Sequence, residues 1–382
     1  MKLTGKKPKK IALVMVGGGA RAAYQVGVLR AIAELLPKDA PCPFQIICGT
    51  SAGAINAASL ACFADNFRSA VVRISSVWHN FHAHHVFRSD AISLSKNLLK
   101  WGGALIFGGL SKSNTLYLLD RQPLQKLLTR YIKPNDIQRV IDNELLHALS
   151  ITVSGYTTRQ SVTFFQGHED LQGWTRARRI GCRGNITIDH LMASSAIPIL
   201  FEPVKIHREF FGDGSMRQIA PLSAALHLGA DKILVIGNRD EAEPPRYQVH
   251  ESPSLANIAG YLLNSIFLDS LNADLERLNR VNKTVSLVSD NKLQKKGVQL
   301  RSVDTLLISP SDDVGEMAQA YLSSLPRPIR ILLRGIGAMK KDGSSLTSYL
   351  LFEKGYTRAL MDLGYKDAKN QTEKIENFLT KK

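Results

Sequence analysis

Three short stretches of this 382-residue chain hold residue types that together could cleave an acyl bond. Gly49-Thr50-Ser51-Ala52-Gly53 is a G-x-S-x-G pattern. In such a turn the serine takes a strained backbone conformation between a strand and a helix. Residues two before and two after it must be tiny, because strand and helix pass closely there. "FQIIC" before and "AGAINAASLACFA" after suit that reading better than a plain packing turn. The second stretch, "FFGDGSMRQIAP", puts Asp213 in a sharp Asp213-Gly214 turn ahead of Pro221, where another helix is expected. A lone Asp-Gly is ordinarily just a turn, so Asp213 counts only in combination. The third, "VMVGGGARAAYQVGVL", sets Gly17, Gly18 and Gly19 between an apolar run and a helical pattern. Backbone N–H groups at a helix N-terminus hold negative charge. That charge is either a dinucleotide pyrophosphate or the oxyanion of a reaction intermediate.

Gly17-x-Gly19-x-x-Ala22 satisfies the dinucleotide fingerprint in its Gly-or-Ala form. That fingerprint also wants an acidic residue at the end of the second strand, where Gly49-Thr50-Ser51 stands instead; Asp39 lies before the strand. A hydrolase needs N–H donors beside its serine. Adjacent parallel strands would put both turns at one edge of a sheet, so the oxyanion reading prevails. A serine still needs a base. His227 and His250 follow Asp213 in the Ser…Asp…His order of α/β-hydrolases. Each reads more simply as a surface or packing histidine, and an elbow on the second strand suits that fold poorly.

The elements that must position these turns follow from periodicity and breakers. Ile11–Val16 reads as a buried strand, followed by a helix from about Ala22 to Leu36. Pro37, Pro41 and Pro43 precede a second strand, Phe44–Cys48, and a small-residue helix from about Ala52 to Ala64. This order implies a parallel sheet covered by helices. Residues from about Asp65 to Lys133 read as helical or irregular. Ala148–Thr158 and Ser161–Gly167 form a hairpin or adjacent strands, and Asp231–Gly237 a further buried strand. After "DEAEPP" (Asp240–Pro245), read as a linker, Pro253 to about Val288 is largely helical, Thr305–Ser309 a strand and the rest helical. The expected fold is α/β: a central mostly parallel sheet sandwiched by helices, with a helical C-terminal extension. Residues 1–10 form a basic tail, 11–245 the catalytic domain and 246–382 a mostly helical region packed on it.

"GGGARAAYQVGVL", "GTSAG", "SSAIPILFEPV" and "DGS", in this order, resemble the patatin-like phospholipase family of lipid acyl hydrolases over roughly Ile11 to Asn238. "SYLLFEKGYTRALMDLGY" resembles the C-terminal part of bacterial members. The family uses a Ser–Asp dyad, so the resemblance implies Ser51 as nucleophile and Asp213 as base. It also assigns the oxyanion hole to the Gly17–Gly19 loop, with Arg21 in the associated motif. Ala22 stands where the family usually has Gly, and Ser215 where it often has Gly or Ala. The expected chemistry is attack of Ser51 on an ester carbonyl, with the amides of Gly18, Gly19 and Ala52 holding the oxyanion. No metal or cofactor is expected. The substrate class is fatty-acyl esters of phospholipids or lysophospholipids. A thioesterase or acyltransferase would use the same acyl-enzyme, and a lipid-binding scaffold without turnover is the non-enzymatic alternative.

The chain carries 49 Lys and Arg against 33 Asp and Glu, net +16. Such charge favours nucleic acid or an anionic membrane surface, and no nucleic-acid-binding motif is present, so the membrane surface is the expected partner. "TRARRIGCRGN" offers Arg176, Arg178, Arg179 and Arg183 as phospholipid contacts or as a solvated loop. "AISLSKNLLKWGGALIFGGLSKSN", with Trp101, Lys96, Lys100 and Lys112, is a core segment or a lid. "WHNFHAHHVFRSD" clusters His79, His82, His84 and His85, without an interleaved carboxylate or Cys to complete a metal site. The His85–Asp90 spacing matches that of glycerolipid acyltransferases but is too short a pattern to weigh. Cys42, Cys48, Cys62 and Cys182 have no CxxC spacing and suit a reducing compartment. Lys2, Lys6, Lys7, Lys9 and Lys10 before Ile11–Val16 mimic a signal peptide, but the apolar run is too short. A cytoplasmic, peripherally membrane-touching protein is expected, with no membrane-spanning segment.

Overall fold

The computed structural model describes residues 9–106, 117–237, 252, 254–288, 300–339 and 343–381. The "DEAEPP" stretch, Lys2, Lys6, Lys7, Lys112, His250 and the end of the Trp101 segment lie outside these residues. Among the described residues ten strands form one sheet: β1 (Ile11–Met15), β2 (Ile46–Thr50), β3 (Ala148–Gly155), β4 (Ser161–Gly167), β5 (Trp174–Arg176), β6 (Arg179–Arg183), β7 (Val204–Ile206), β8 (Glu209–Asp213), β9 (Lys232–Ile236) and β10 (Asp304–Ile308). The order is β10-β9-β1-β2-β3-β4-β6-β5, with β8 paired to β3 and β7 to β8. From β10 to β3 every pairing is parallel.

Every residue of β1, β2, β3 and β9 is buried, as helices on both faces of a parallel sheet require. Period-two alternation divides them. Leu13, Met15, Ile47, Leu149 and Ile151 join one core, while Ala12, Val14, Ile46, Cys48, Ile233 and Val235 join the other. The expected mostly parallel sheet sandwiched by helices is therefore present. Its second strand begins at Ile46 rather than Phe44, because Phe44 turns into the core against Phe67, ring centroids 6.0 Å apart. The expected pair after residue 148 is an antiparallel hairpin, Ala148 opposite Gly167.

β3 is longer than β2 and so positions the site. β2 covers it from Ala148 to Thr152, while β4 occupies its other edge. Beyond Thr152, β8 runs antiparallel along the edge that β2 leaves, with Asp213 opposite Val153. The ends of β2 and β8 therefore face each other.

Described elements of the C-terminal region meet the N-terminal ones directly. β10 extends the sheet with Thr305 opposite Ile233. Helix α1 (Ala23–Glu34) crosses helix Lys354–Lys369 at backbone contact: a Cβ on Gly27 would lie 1.9 Å from the Met361 carbonyl oxygen, and one on Gly364 2.2 Å from that of Tyr24. The buried Tyr24 hydroxyl donates to Asp367 Oδ2 at 3.0 Å. Among the described residues, no helix is long and apolar enough to cross a membrane.

Because Gly27 meets backbone rather than a movable side chain, Gly27→Val must separate the two helices. The expected loss is about 2 kcal/mol or more, read as a lower midpoint in urea, with a smaller change for Arg30→Ala, which removes only a half-buried side chain and its loose 3.9 Å ion pair with Asp362.

Candidate active site

β2 ends at Thr50, and helix α2 (Ala52–Ala61) begins immediately after Ser51. Ser51 carries the turn at φ 55°, ψ −129°, a region that side chains other than glycine rarely adopt. The neighbouring glycines are sterically required. A Cβ on Gly53 would fall 2.3 Å from the Met15 carbonyl oxygen, and one on Gly49 2.5 Å from Ala54 Cα. A hydrogen bond holds the strained turn: Ser51 N–H donates to Ser194 Oγ at 2.9 Å, and Ser194 donates to the Thr152 carbonyl at 2.6 Å. Ser194 was not singled out from the sequence; its only signal was membership of "SSAIPILFEPV".

Ser51 Oγ donates to Asp213 Oδ2 at 2.5 Å. Asp213 has no solvent exposure. Its Oδ1 accepts from the Ser215 amide at 2.9 Å, and its own amide donates to the Ala196 carbonyl at 2.9 Å. Burial pushes its pKa up to about 6, against the hydrogen bonds from Ser51 and Ser215 and the charge of Arg121. Gly214 lies against β3, where a Cβ would stand 2.1 Å from the Thr152 carbonyl oxygen.

Arg121, also absent from the sequence-based site, is a buried cation beside this turn. It donates to the carbonyls of Met192 and Glu202, both at 2.7 Å, and to Ser195 Oγ at 3.2 Å, and it packs over the Phe201 ring at 4.9 Å. Desolvation lowers its pKa to about 10, against the charges of Asp213 and Glu202. Both groups shift towards neutrality, because each loses more hydration than the other's charge restores.

The glycine loop reaches this place through the sheet register, with Met15 opposite Gly49. Gly18 precedes the 3-10 turn Gly19–Ala22, which leads into α1. Gly19 has φ +56°, and a Cβ there would lie 2.3 Å from the Tyr349 carbonyl oxygen. A Cβ on Gly17 would lie 2.5 Å from Ser215 Oγ, so the loop abuts the Asp213 turn. Arg21 takes its partners from the C-terminal region, not from Ser51 or Asp213. It donates to Ser348 Oγ at 2.8 Å and lies 4.0 Å over the Tyr349 ring, fastening the loop to the C-terminal region. A buried relay braces the loop's other side. Trp78 Nε1 donates to Asn56 Oδ1 at 2.8 Å, Asn56 Nδ2 to Gln25 Oε1 at 3.0 Å, and Gln25 Nε2 to the Val16 carbonyl at 2.8 Å.

Gly19, Ser51 and Ala52 line one cavity with Trp78, Leu128 and Phe352, which encloses about 820 Å3 counting its open mouth. Its apolar lining suits a small-molecule or chain-like ligand. The histidine cluster stands at its edge. His82 Nδ1 lies 2.7 Å from Glu353 Oε2, and the two backbones form a bridge beside the cavity-lining Phe81 and Phe352. Glu353, from far along the chain, thus pairs with His82 alone among these histidines, and the cluster does not converge as a metal-holding group among the described residues. A different convergence, His147, His168 and Asp170, has the Lys10 ammonium 3.1 Å from His147 Nε2, which opposes a second cation there.

The remaining candidates are dispersed. His227 stacks on Trp174 at 4.9 Å, and burial, with Arg176, Arg179 and Arg301, lowers its pKa to about 4. The arginine run is the β5–β6 hairpin. Arg176 and Arg178 are exposed and Arg179 half-buried, whereas Arg183 donates to the carbonyls of Gly167, His168, Glu169 and Leu171. Trp101 is half-buried on helix Ala91–Ile106, whose Ile92 and Leu99 are exposed.

The family model described as "Patatin-like phospholipase" matches residues 13–226. No curated protein matches the chain. Among solved structures, VipD from Legionella pneumophila is 14% identical, covering 90% of this chain and 67% of its own, with a TM-score of 0.32. The type III effector protein ExoU is 12% identical, covering 97% of this chain and 54% of its own, with a TM-score of 0.37. This chain thus spans about two thirds of the first and about half of the second.

Ser194→Ala would leave the Ser51 amide without its acceptor and the Thr152 carbonyl without a donor in a buried site. The expected destabilisation is about 1–3 kcal/mol, measured by chemical denaturation, with Ser194→Thr recovering part of it.

Proposed function

The chain belongs to the patatin-like phospholipase family, and from that premise we propose that it hydrolyses fatty-acyl esters of phospholipids or lysophospholipids through an acyl-enzyme on Ser51. The observation that carries this reading is the 2.5 Å contact of Ser51 Oγ with Asp213 Oδ2 beside an apolar cavity.

The Ser51 oxygen attacks the ester carbonyl as its proton passes to Asp213 Oδ2. The oxyanion accepts hydrogen bonds from the amides of Gly18, Gly19 and Ala52. Ser51's own amide is occupied by Ser194 and takes no part. When the tetrahedral species collapses, the C–O bond to the alcohol breaks, and Asp213 returns the proton to the departing oxygen. Water then repeats the sequence, giving its proton to Asp213 and releasing the fatty acid. A carboxylate in water is too weak a base for this. Burial supports its role, because a pKa near 6 brings its proton affinity closer to working pH. The cavity supports an acyl chain as the group held, and exposed Arg176, Arg178 and the Trp101 helix are its candidate lipid contacts.

Ser51→Ala and Asp213→Asn should each lower hydrolysis of a soluble ester by about a thousandfold or more, with unfolding midpoints retained. Fluorophosphonate should label the unsubstituted protein and not Ser51→Ala. Full activity in Asp213→Asn would reject the dyad, and a protein that neither labels nor turns over would be a lipid-binding scaffold.

Only ionised Asp213 can accept the proton. Since burial raises its pKa to about 6, kcat/KM should fall about tenfold per pH unit below that value and level off above it. A profile flat down to pH 4 would show that this carboxylate is not the base.

A further inference from the structure

Helix Leu255–Asn264 is apolar on both of its faces. The sequence holds no charged residue from Ser252 to Leu268. Ala256, Gly260 and Leu263 pack inward. Outward, at spacings of three, six and seven that share one helix face, Leu255 is 64% exposed, Ile258 46%, Tyr261 71% and Leu262 53%. An ordinary surface helix carries polar residues on that side. The inner face accounts for the fold, and among the described residues nothing accounts for the outer one.

The helix stands directly behind the glycine loop. Gly260 packs on Ser345 and Leu346. Asn264 Oδ1 accepts from the Tyr349 hydroxyl at 2.9 Å, and Tyr349 lines the cavity that holds Ser51. After Asn264 the helix widens into a π turn, Ser265–Asp269, which sets Phe267 against Tyr349 at 5.2 Å and beside Gly17.

We propose that the outer stripe of Leu255, Ile258, Tyr261 and Leu262 docks this protein on a lipid bilayer surface. The four side chains offer roughly 400 Å2, well under the ~800 Å2 per partner of a stable protein interface. An area of that size suffices for shallow insertion at the headgroup boundary, where an amphipathic ring such as that of Tyr261 is at home. The net charge of +16 draws the molecule towards anionic lipid. Docking here brings the glycine-loop side of the cavity to the layer that contains acyl esters. In that last respect the inference rests on the hydrolase reading.

The test uses full-length protein carrying Ser51→Ala and sedimentation with phosphatidylcholine–phosphatidylglycerol vesicles, repeated in about 1 M salt, where charges are screened beyond ~3 Å. Binding should persist in salt and fall at least tenfold when Leu255→Ser, Ile258→Ser and Tyr261→Ser are combined. With Ser51 present, the same triple variant should turn over a soluble short-chain ester at the unsubstituted rate. Salt-resistant binding unchanged in the triple variant would overturn the proposal, as would complete loss of the parent's binding in salt. So would light scattering showing a dimer that the triple substitution dissolves, which would assign the stripe to a second copy. Should the triple variant misfold, Tyr261→Trp decides: brominated lipid should quench it beyond the unsubstituted protein, and equal quenching refutes docking there. Vesicle binding that depends on the stripe, in a protein with no esterase activity, would sustain the docking and overturn the hydrolase.

Discussion

Asp213 is a carboxylate from which water has been removed, and much of the local architecture answers that condition. A buried oxygen needs protein donors in place of solvent, and Asp213 receives them from the Ser51 hydroxyl and the Ser215 amide. Both donors can be present only because β8 continues along the part of β3 that β2 does not cover. Arg121 adds positive charge nearby, but its hydrogen bonds go to the Ser195 hydroxyl and the carbonyls of Met192 and Glu202. It therefore tempers the carboxylate without quenching it. Dryness and incomplete compensation leave Asp213 with a pKa near 6.

The same economy of water governs the other side of the serine. Its strained turn depends on Ser194, and the glycine loop is braced from below by the Trp78–Asn56–Gln25 relay. From the far side Arg21 ties the loop to Ser348 and Tyr349. Buried polar networks of this kind confer geometry when every member is satisfied. Here the satisfied members lie on separate elements, and the Arg21–Ser348 bond joins residues 327 apart in the chain.

That separation explains what could be read in advance. The buried strands announced themselves as apolar runs, the elbow through its small flanking residues, and Asp213 through a turn that gained meaning beside a serine and a family resemblance. Ser194, Asn56 and Gln25 give no such sign, since a serine or amide takes its role from a partner on another element. Glu353 is the plainest case: no local pattern links it to His82, yet the two meet at 2.7 Å. The β5–β6 hairpin was hidden because its arginines look like a solvated loop, although Arg183 spends its donors on four backbone carbonyls. β7 has only three residues, and β8, Glu209–Asp213, begins and ends on acidic residues around two phenylalanines and a glycine, so neither reads as an apolar run.

Residues 13–226 match the family model, yet the wall against which Gly19 rests is the backbone of Tyr349, and Gly27 has shed its side chain to admit Met361. The matched segment and the C-terminal region thus meet at backbone distance in both places. For anyone wishing to graft this arrangement onto another scaffold, the transplantable unit is the interlocked pair, since the matched stretch on its own would leave a seam open along α1 and its loop without a backstop.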